Sequence, residues 1–151
     1  MAQNGIATTE KTTFHRTTSI VQIIEASPSI LWSLLIQLDK YATWNSTILS
    51  IEGTIKEGNK IKLKSTLAPE RTFKLKVKEV LTDQKLVWGD AMGNRTYTLQ
   101  KQGNKTLFSM SEKIGGLLFP LFASKIPSFD ASFEQFTKDL KTAAEATPNS
   151  K

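Results

Sequence analysis

One short turn is enough to bring together the side chains of this chain that could do chemistry. Gly103-Asn104 has the composition of a two-residue hairpin turn, and strands closing on it set Arg95 opposite Glu112, Tyr97 opposite Met110 and Leu99 opposite Phe108. A glutamate buried on such a strand can keep its proton to a higher pH and act as a general base. An arginine directly across would lower that pKa again. Two readings stay open. Arg95, Tyr97 and Glu112 orient the polar end of a bound molecule, with Glu112 and Tyr97 as weak catalytic candidates. Alternatively, Arg95 and Glu112 form an ion pair that closes the sheet and Tyr97 is satisfied by water. The second is favoured, because a pair satisfies both charges without any ligand.

Little else in the chain offers reactivity. The single histidine, His15, falls in a polar N-terminal stretch, and there is no cysteine. No glycine-rich loop follows a strand, and no His/Asp/Glu cluster has metal-ligand spacing, so neither a metal nor a cofactor is expected. Any acid–base chemistry would fall to Glu112 or Tyr97.

The composition sets further bounds. A chain of 151 residues, 39% hydrophobic and 23% charged, suits one globular domain with a single core. No apolar run is long enough to span a bilayer, and the first residues have no apolar centre of a signal peptide. A cytoplasmic location is therefore expected, and the Asn-x-Ser/Thr triplets at Asn45, Asn94 and Asn104 are not expected to be glycosylated. The net charge of +6 comes mainly from lysine. Readers of bases and phosphates lean on arginine's bidentate fork, and no recognition motif accompanies the charge, so no nucleic-acid partner is expected.

The elements that must position these groups follow from periodicity. Residues 1–15 read as a disordered tail, residues 16–147 as one domain and 148–151 as a C-terminal tail. Thr17–Glu25 is a β-branched run suited to a first strand. Ser27 caps a helix with Pro28 at its first position, and Leu31, Leu34, Leu35 and Leu38 form its buried stripe. From Ile48 to Ile114 the period is two, with turn signals that divide the region into six antiparallel strands. Beyond Gly115-Gly116, Pro127 starts or kinks a long helix to about Ala146. Its residues Phe129, Phe133, Phe136, Leu140 and Ala143 share one face. The order strand, helices, six-strand meander and final helix gives about seven strands and an α+β layout.

The stretch "ASPSILWSLLIQLDKYATWN" at 26–45 resembles the opening motif of the START/polyketide-cyclase/birch-allergen superfamily (SRPBCC). The match falls on Ala26, Ser27, Pro28, Leu31, Trp32, Tyr41, Trp44 and Asn45. Leu86-Val87-Trp88-Gly89, the late strand "NKTLFSMSEKIGG" and the ending "DLKTAAEA" agree as well. Gln37 and Ala42 depart from the usual aspartate and proline. The resemblance implies a helix-grip fold, a curved antiparallel sheet wrapped around a long C-terminal helix. It also implies an apolar cavity between them that takes lipid-, aromatic- or polyketide-like molecules.

Strand parity selects the inner face independently of that resemblance. Ile61, Leu63, Phe73, Leu75, Val77, Leu86, Trp88, Tyr97, Leu99, Phe108 and Met110 point inward, as do Arg71, Arg95 and Glu112, and Phe129, Phe133 and Phe136 face them from the helix. These residues either wall a cavity or simply pack as core. A dry void of even ~300 Å³ would cost about 7 kcal/mol, close to a domain's whole stability. A large cavity must therefore hold water or ligand, or be closed by the phenylalanines. The expected function is a carrier or sensor of a small apolar molecule. A polyketide cyclase or dehydratase is the alternative, and an interaction module of the co-chaperone type a weaker one. On the outer face, a turn centred on Pro69 would oppose Lys60 to Lys78, Lys62 to Lys76 and Lys64 to Lys74.

Overall fold

The alternating stretch folds as the six strands its periodicity demands. A computed structural model describes residues 3–148, so most of the tail expected at 148–151 lies outside the described residues. The six strands are β3 (Ile48–Glu52), β4 (Lys60–Ser65), β5 (Phe73–Leu81), β6 (Lys85–Gly89), β7 (Gly93–Gln102) and β8 (Lys105–Gly115). Two more precede them, β1 (Thr8–Lys11) and β2 (His15–Ile24). All neighbours are antiparallel in the order β1-β2-β8-β7-β6-β5-β4-β3.

The sheet thus has eight strands rather than about seven, because β1 forms where a tail was expected, and His15 opens β2 instead of lying in that tail. The strand escapes periodicity because polar contacts hold it. Thr9 Oγ1 donates to Asp130 Oδ1 at 2.5 Å and lies 3.1 Å from Thr18 Oγ1, while the Ala7 N–H donates to Glu134 Oε2 at 2.9 Å.

Among the described residues four α-helices complete the α+β helix-grip fold: α1 (Pro28–Ile36), α2 (Tyr41–Trp44), α3 (Phe119–Phe122) and α4 (Asp130–Ala146). Ser27 occupies the N-cap position of α1, but its hydroxyl bonds Ser29 Oγ at 3.1 Å and caps no amide. The buried side of α1 is Ile30, Leu31, Trp32 and Leu35, with Leu34 only half-buried. The long final helix lies against the inner face of the sheet through Phe133, Phe136, Thr137, Leu140 and Ala144. Complete burial of each such phenylalanine contributes about 1.5–3 kcal/mol.

Helix α4 starts at Asp130, three residues after Pro127, and it buries Ala144 where Ala143 was expected. The late start has a local cause. The carbonyls of Ile126 and Pro127 accept hydrogen bonds from the buried Arg16 guanidinium at 3.1 and 2.8 Å, which holds the entry segment out of helical geometry.

The Gly103-Asn104 turn sets the expected register, with Arg95 opposite Glu112, Tyr97 opposite Met110 and Leu99 opposite Phe108. The lysine hairpin differs. Lys60 faces Lys76 and Lys62 faces Lys74, so the pairs expected from a turn centred on Pro69 are displaced by two residues. The connection folds as successive turns, with Ala68 N–H donating to Ser65 O and Arg71 N–H to Ala68 O at 3.2 and 3.0 Å, and its symmetry centre is Ala68. An even displacement leaves every side chain on its expected face.

Candidate functional site

The inner face is not filled uniformly. Over its middle, aromatic packing closes the space. The Tyr97 ring lies 5.7 Å from Phe136, 6.3 Å from Phe108 and 5.2 Å from Trp88, and Tyr41, Trp44 and Phe136 form a second cluster 5.0–6.4 Å apart. At the end where α4 begins, the sheet and helix diverge and leave a cavity of about 600 Å³. Strands β3 to β8 supply its floor, and the segment from Phe122 to Ser132 supplies the opposite wall.

Of the side chains with inward parity, Leu63, Phe73, Leu75, Trp88, Arg95, Glu112 and Phe129 line this cavity. Ile61, Val77, Leu86, Tyr97, Leu99, Phe108, Met110, Phe133 and Phe136 are buried in the core behind it and do not reach the cavity. Parity places a side chain on a face but says nothing about where along that face the helix presses. Arg71 sits in the loop before β5, exposed, with its Cζ 4.6 Å from the Phe73 ring centroid.

Several lining residues come from segments with no periodicity to read, including Leu67, Met92, Phe122, Lys125 and Ile126. The one available signal was the apolar run "LLFPLF" after two glycines. Part of that run stays outside the core. Leu117, Leu118 and Leu121 are 87%, 65% and 76% exposed, while Phe119 is buried and edge-on to Phe122. Arg16 carried no sequence signal either. It stands behind Phe129, with Cζ 4.6 Å from that ring, and ties down the 126–127 backbone.

The charged pair of the cavity is closed on itself. Arg95 Nε donates to Glu112 Oε1 at 2.7 Å, the two side chains are 14% and 19% exposed, and the guanidinium lies 5.1 Å from the Phe133 ring. Burial works against the Arg95 charge, yet Glu112 and Tyr97 hold its pKa above the ordinary guanidinium value. Burial raises the Tyr97 phenol, with the Arg95 charge opposing that rise, and its hydroxyl has no hydrogen-bond partner of good geometry. Among the described residues no group of His, Asp or Glu could hold a metal ion, and no helix is long and apolar enough to cross a membrane.

No protein-family model matches the chain, and no curated protein matches it. Solved structures do. A START superfamily protein from Mycobacterium smegmatis aligns with a TM-score of 0.62 at 16% identity, over 85% of this chain and 97% of that one. The Aha1 dimer from Colwellia psychrerythraea aligns with a TM-score of 0.65 at 18% identity, over 86% and 96%. DynU16, a protein of the dynemicin biosynthetic locus, aligns with a TM-score of 0.67 at 14% identity, over 86% of this chain and 47% of its own. At these identities the likeness carries the fold alone. The eight-stranded antiparallel sheet gripping a long C-terminal helix among the described residues is therefore similar in fold to that START superfamily protein.

Proposed function

We propose that the protein binds a small hydrophobic molecule in the cavity between sheet and C-terminal helix, as a carrier or sensor. The cavity itself carries the reading. Its volume of about 600 Å³ lies within the ~300–1,000 Å³ typical of small-molecule sites. Its floor is Leu63, Phe73, Leu75 and Trp88, and its one buried ion pair is already satisfied. The rim includes exposed residues such as Arg71, Met92 and Pro127, so water can fill the space and the stability cost of a dry void does not arise.

A cyclase or dehydratase has less support. Glu112, the better base, is engaged by Arg95, and Tyr97 lies outside the cavity. An interaction module of the Aha1 kind is supported by the shared fold alone. Native mass spectrometry of freshly purified protein, followed by solvent extraction, tests the reading. An extractable apolar adduct is expected, and it should be lost when Leu75→Trp fills the floor. A bare protein mass, together with no thermal shift from a panel of lipids and aromatic metabolites, would defeat it.

A further inference from the structure

The charges around this cavity are not balanced. Arg71, Arg95 and Lys125 line it together with two carboxylates, Asp90 and Glu112. Both carboxylates already have donors. Glu112 accepts from Arg95 at 2.7 Å, and Asp90 Oδ1 accepts the Met92 and Gly93 N–H groups at 2.8 and 3.2 Å. Arg95 is likewise committed to Glu112. Arg71 and Lys125, by contrast, have no carboxylate partner and donate no side-chain hydrogen bond among the described residues.

The placement of the arginines points the same way. The chain has only three, Arg16, Arg71 and Arg95, among 20 basic residues. Arg71 and Arg95 line the cavity, and Arg16 braces its wall through Ile126, Pro127 and Phe129. A surface that needs only solubility is served by lysine. Arginine offers a planar fork that meets a carboxylate with two parallel hydrogen bonds and stacks on aromatic rings. The Arg71 guanidinium is stacked in this way over Phe73, a wall residue, while Lys125 approaches the same cavity from the turn between α3 and α4.

We propose that the ligand is an amphipathic anion, an apolar body ending in one carboxylate. The body lies against Phe73, Leu75 and Trp88, and the carboxylate stays at the rim between Arg71 and Lys125. An ionised group cannot enter the apolar floor without a partner, so the rim is where such a head group must remain. This assignment rests on the ligand-binding reading above and adds the charge of the ligand to it.

The test titrates the protein with decanoate, 1-decanol and decylammonium, which share one apolar body. Binding is followed by calorimetry and by the fluorescence of Trp88, with Trp88→Phe as the control. Decanoate should bind roughly tenfold more tightly than decanol, the scale of one charge-assisted hydrogen bond, and decylammonium most weakly. The Arg71→Gln/Lys125→Gln variant should bind decanoate no better than decanol, losing far more affinity for decanoate than for decanol. Both positions are exposed, so the variant should fold, and circular dichroism checks that it does. Equal affinities of the parent for decanoate and decanol overturn the anion assignment while leaving a ligand-binding cavity. A decanoate preference that survives in the double variant also overturns it. Binding of none of the three overturns both the anion assignment and the reading beneath it.

Discussion

Replacing Glu112 with Gln removes the carboxylate paired with the half-buried Arg95, and the geometry sets how much that should matter. The Arg95–Glu112 bond is 2.7 Å long and its side chains are 14% and 19% exposed. Breaking a fully buried pair from one side costs about 3–5 kcal/mol, because the surviving charge is left unpaired. Here the cavity admits water to that charge, the Phe133 ring lies 5.1 Å from it, and glutamine still offers an acceptor. Glu112→Gln should therefore cost about 2 kcal/mol, and Arg95→Met a similar amount by stranding the carboxylate. The double variant should cost much less than the sum, with a coupling of at least about 1 kcal/mol. Urea unfolding of the parent, both single variants and the double variant measures this. In thermal melts each single variant should fall by about 4–8 °C for a chain of this size. Additivity within about 0.5 kcal/mol would refute the claim that the pair is a structural unit. The same variants bear on catalysis, since Glu112→Gln should leave ligand binding within a few-fold of the parent if Glu112 closes the sheet rather than acting as a base.

Phe133 is 1% exposed and inside the core, so Phe133→Leu should cost about 1–2 kcal/mol and Phe133→Asp more than about 3 kcal/mol; an Asp variant melting within a degree or two of the parent would contradict the helix phase. The two tyrosines should separate by hydrogen bonding. Tyr41 Oη donates to Leu35 O at 2.6 Å whereas Tyr97 Oη, beside Arg95, has no well-aligned partner among the described residues, so Tyr41→Phe should cost about 1 kcal/mol more than Tyr97→Phe in urea unfolding. Burial raises the pKa of both phenols in the folded state. The stability they contribute is therefore fully present below the unfolded value of about 10 and lost as pH rises above it. Absorbance at the phenolate band should show both ionising together with alkaline unfolding, not before it. On the outer face Lys60 stands directly opposite Lys76, so Lys76→Glu should stabilise the protein by about 0.2–1 kcal/mol at low salt and by less at high salt. If solvation alone keeps these lysines apart, anionic vesicles should fail to retain the parent protein at low salt.

The amino-acid sequence alone determined whatever depends on a repeating contact with one neighbour. Alternation at 60–64 and 73–77 settles which side chains face inward, because the strand period is two wherever the strand pairs. A two-residue turn leaves a hairpin no other register, so the spacing of Arg95 and Glu112 about Gly103-Asn104 is enough to make them partners. The stripe of α4 and the order of elements were legible for the same reason, and the motif at 26–45 pointed to the helix-grip architecture. What the sequence left open depends on several distant segments meeting. Strand β1 and the residue before it are held from α4 by Asp130 and Glu134, partners that only the folded chain brings near them. The lysine register turned on hydrogen bonds inside a seven-residue connection that no turn rule assigns. The extent of the cavity was decided by where α4 settles on the sheet. Phe133 and Phe136 close one part of the inner face, and Arg16, by holding the backbone at 126–127, delays the helix and keeps the other part open. Local pattern fixes which way a side chain points, and only packing decides whether it meets another side chain or a space.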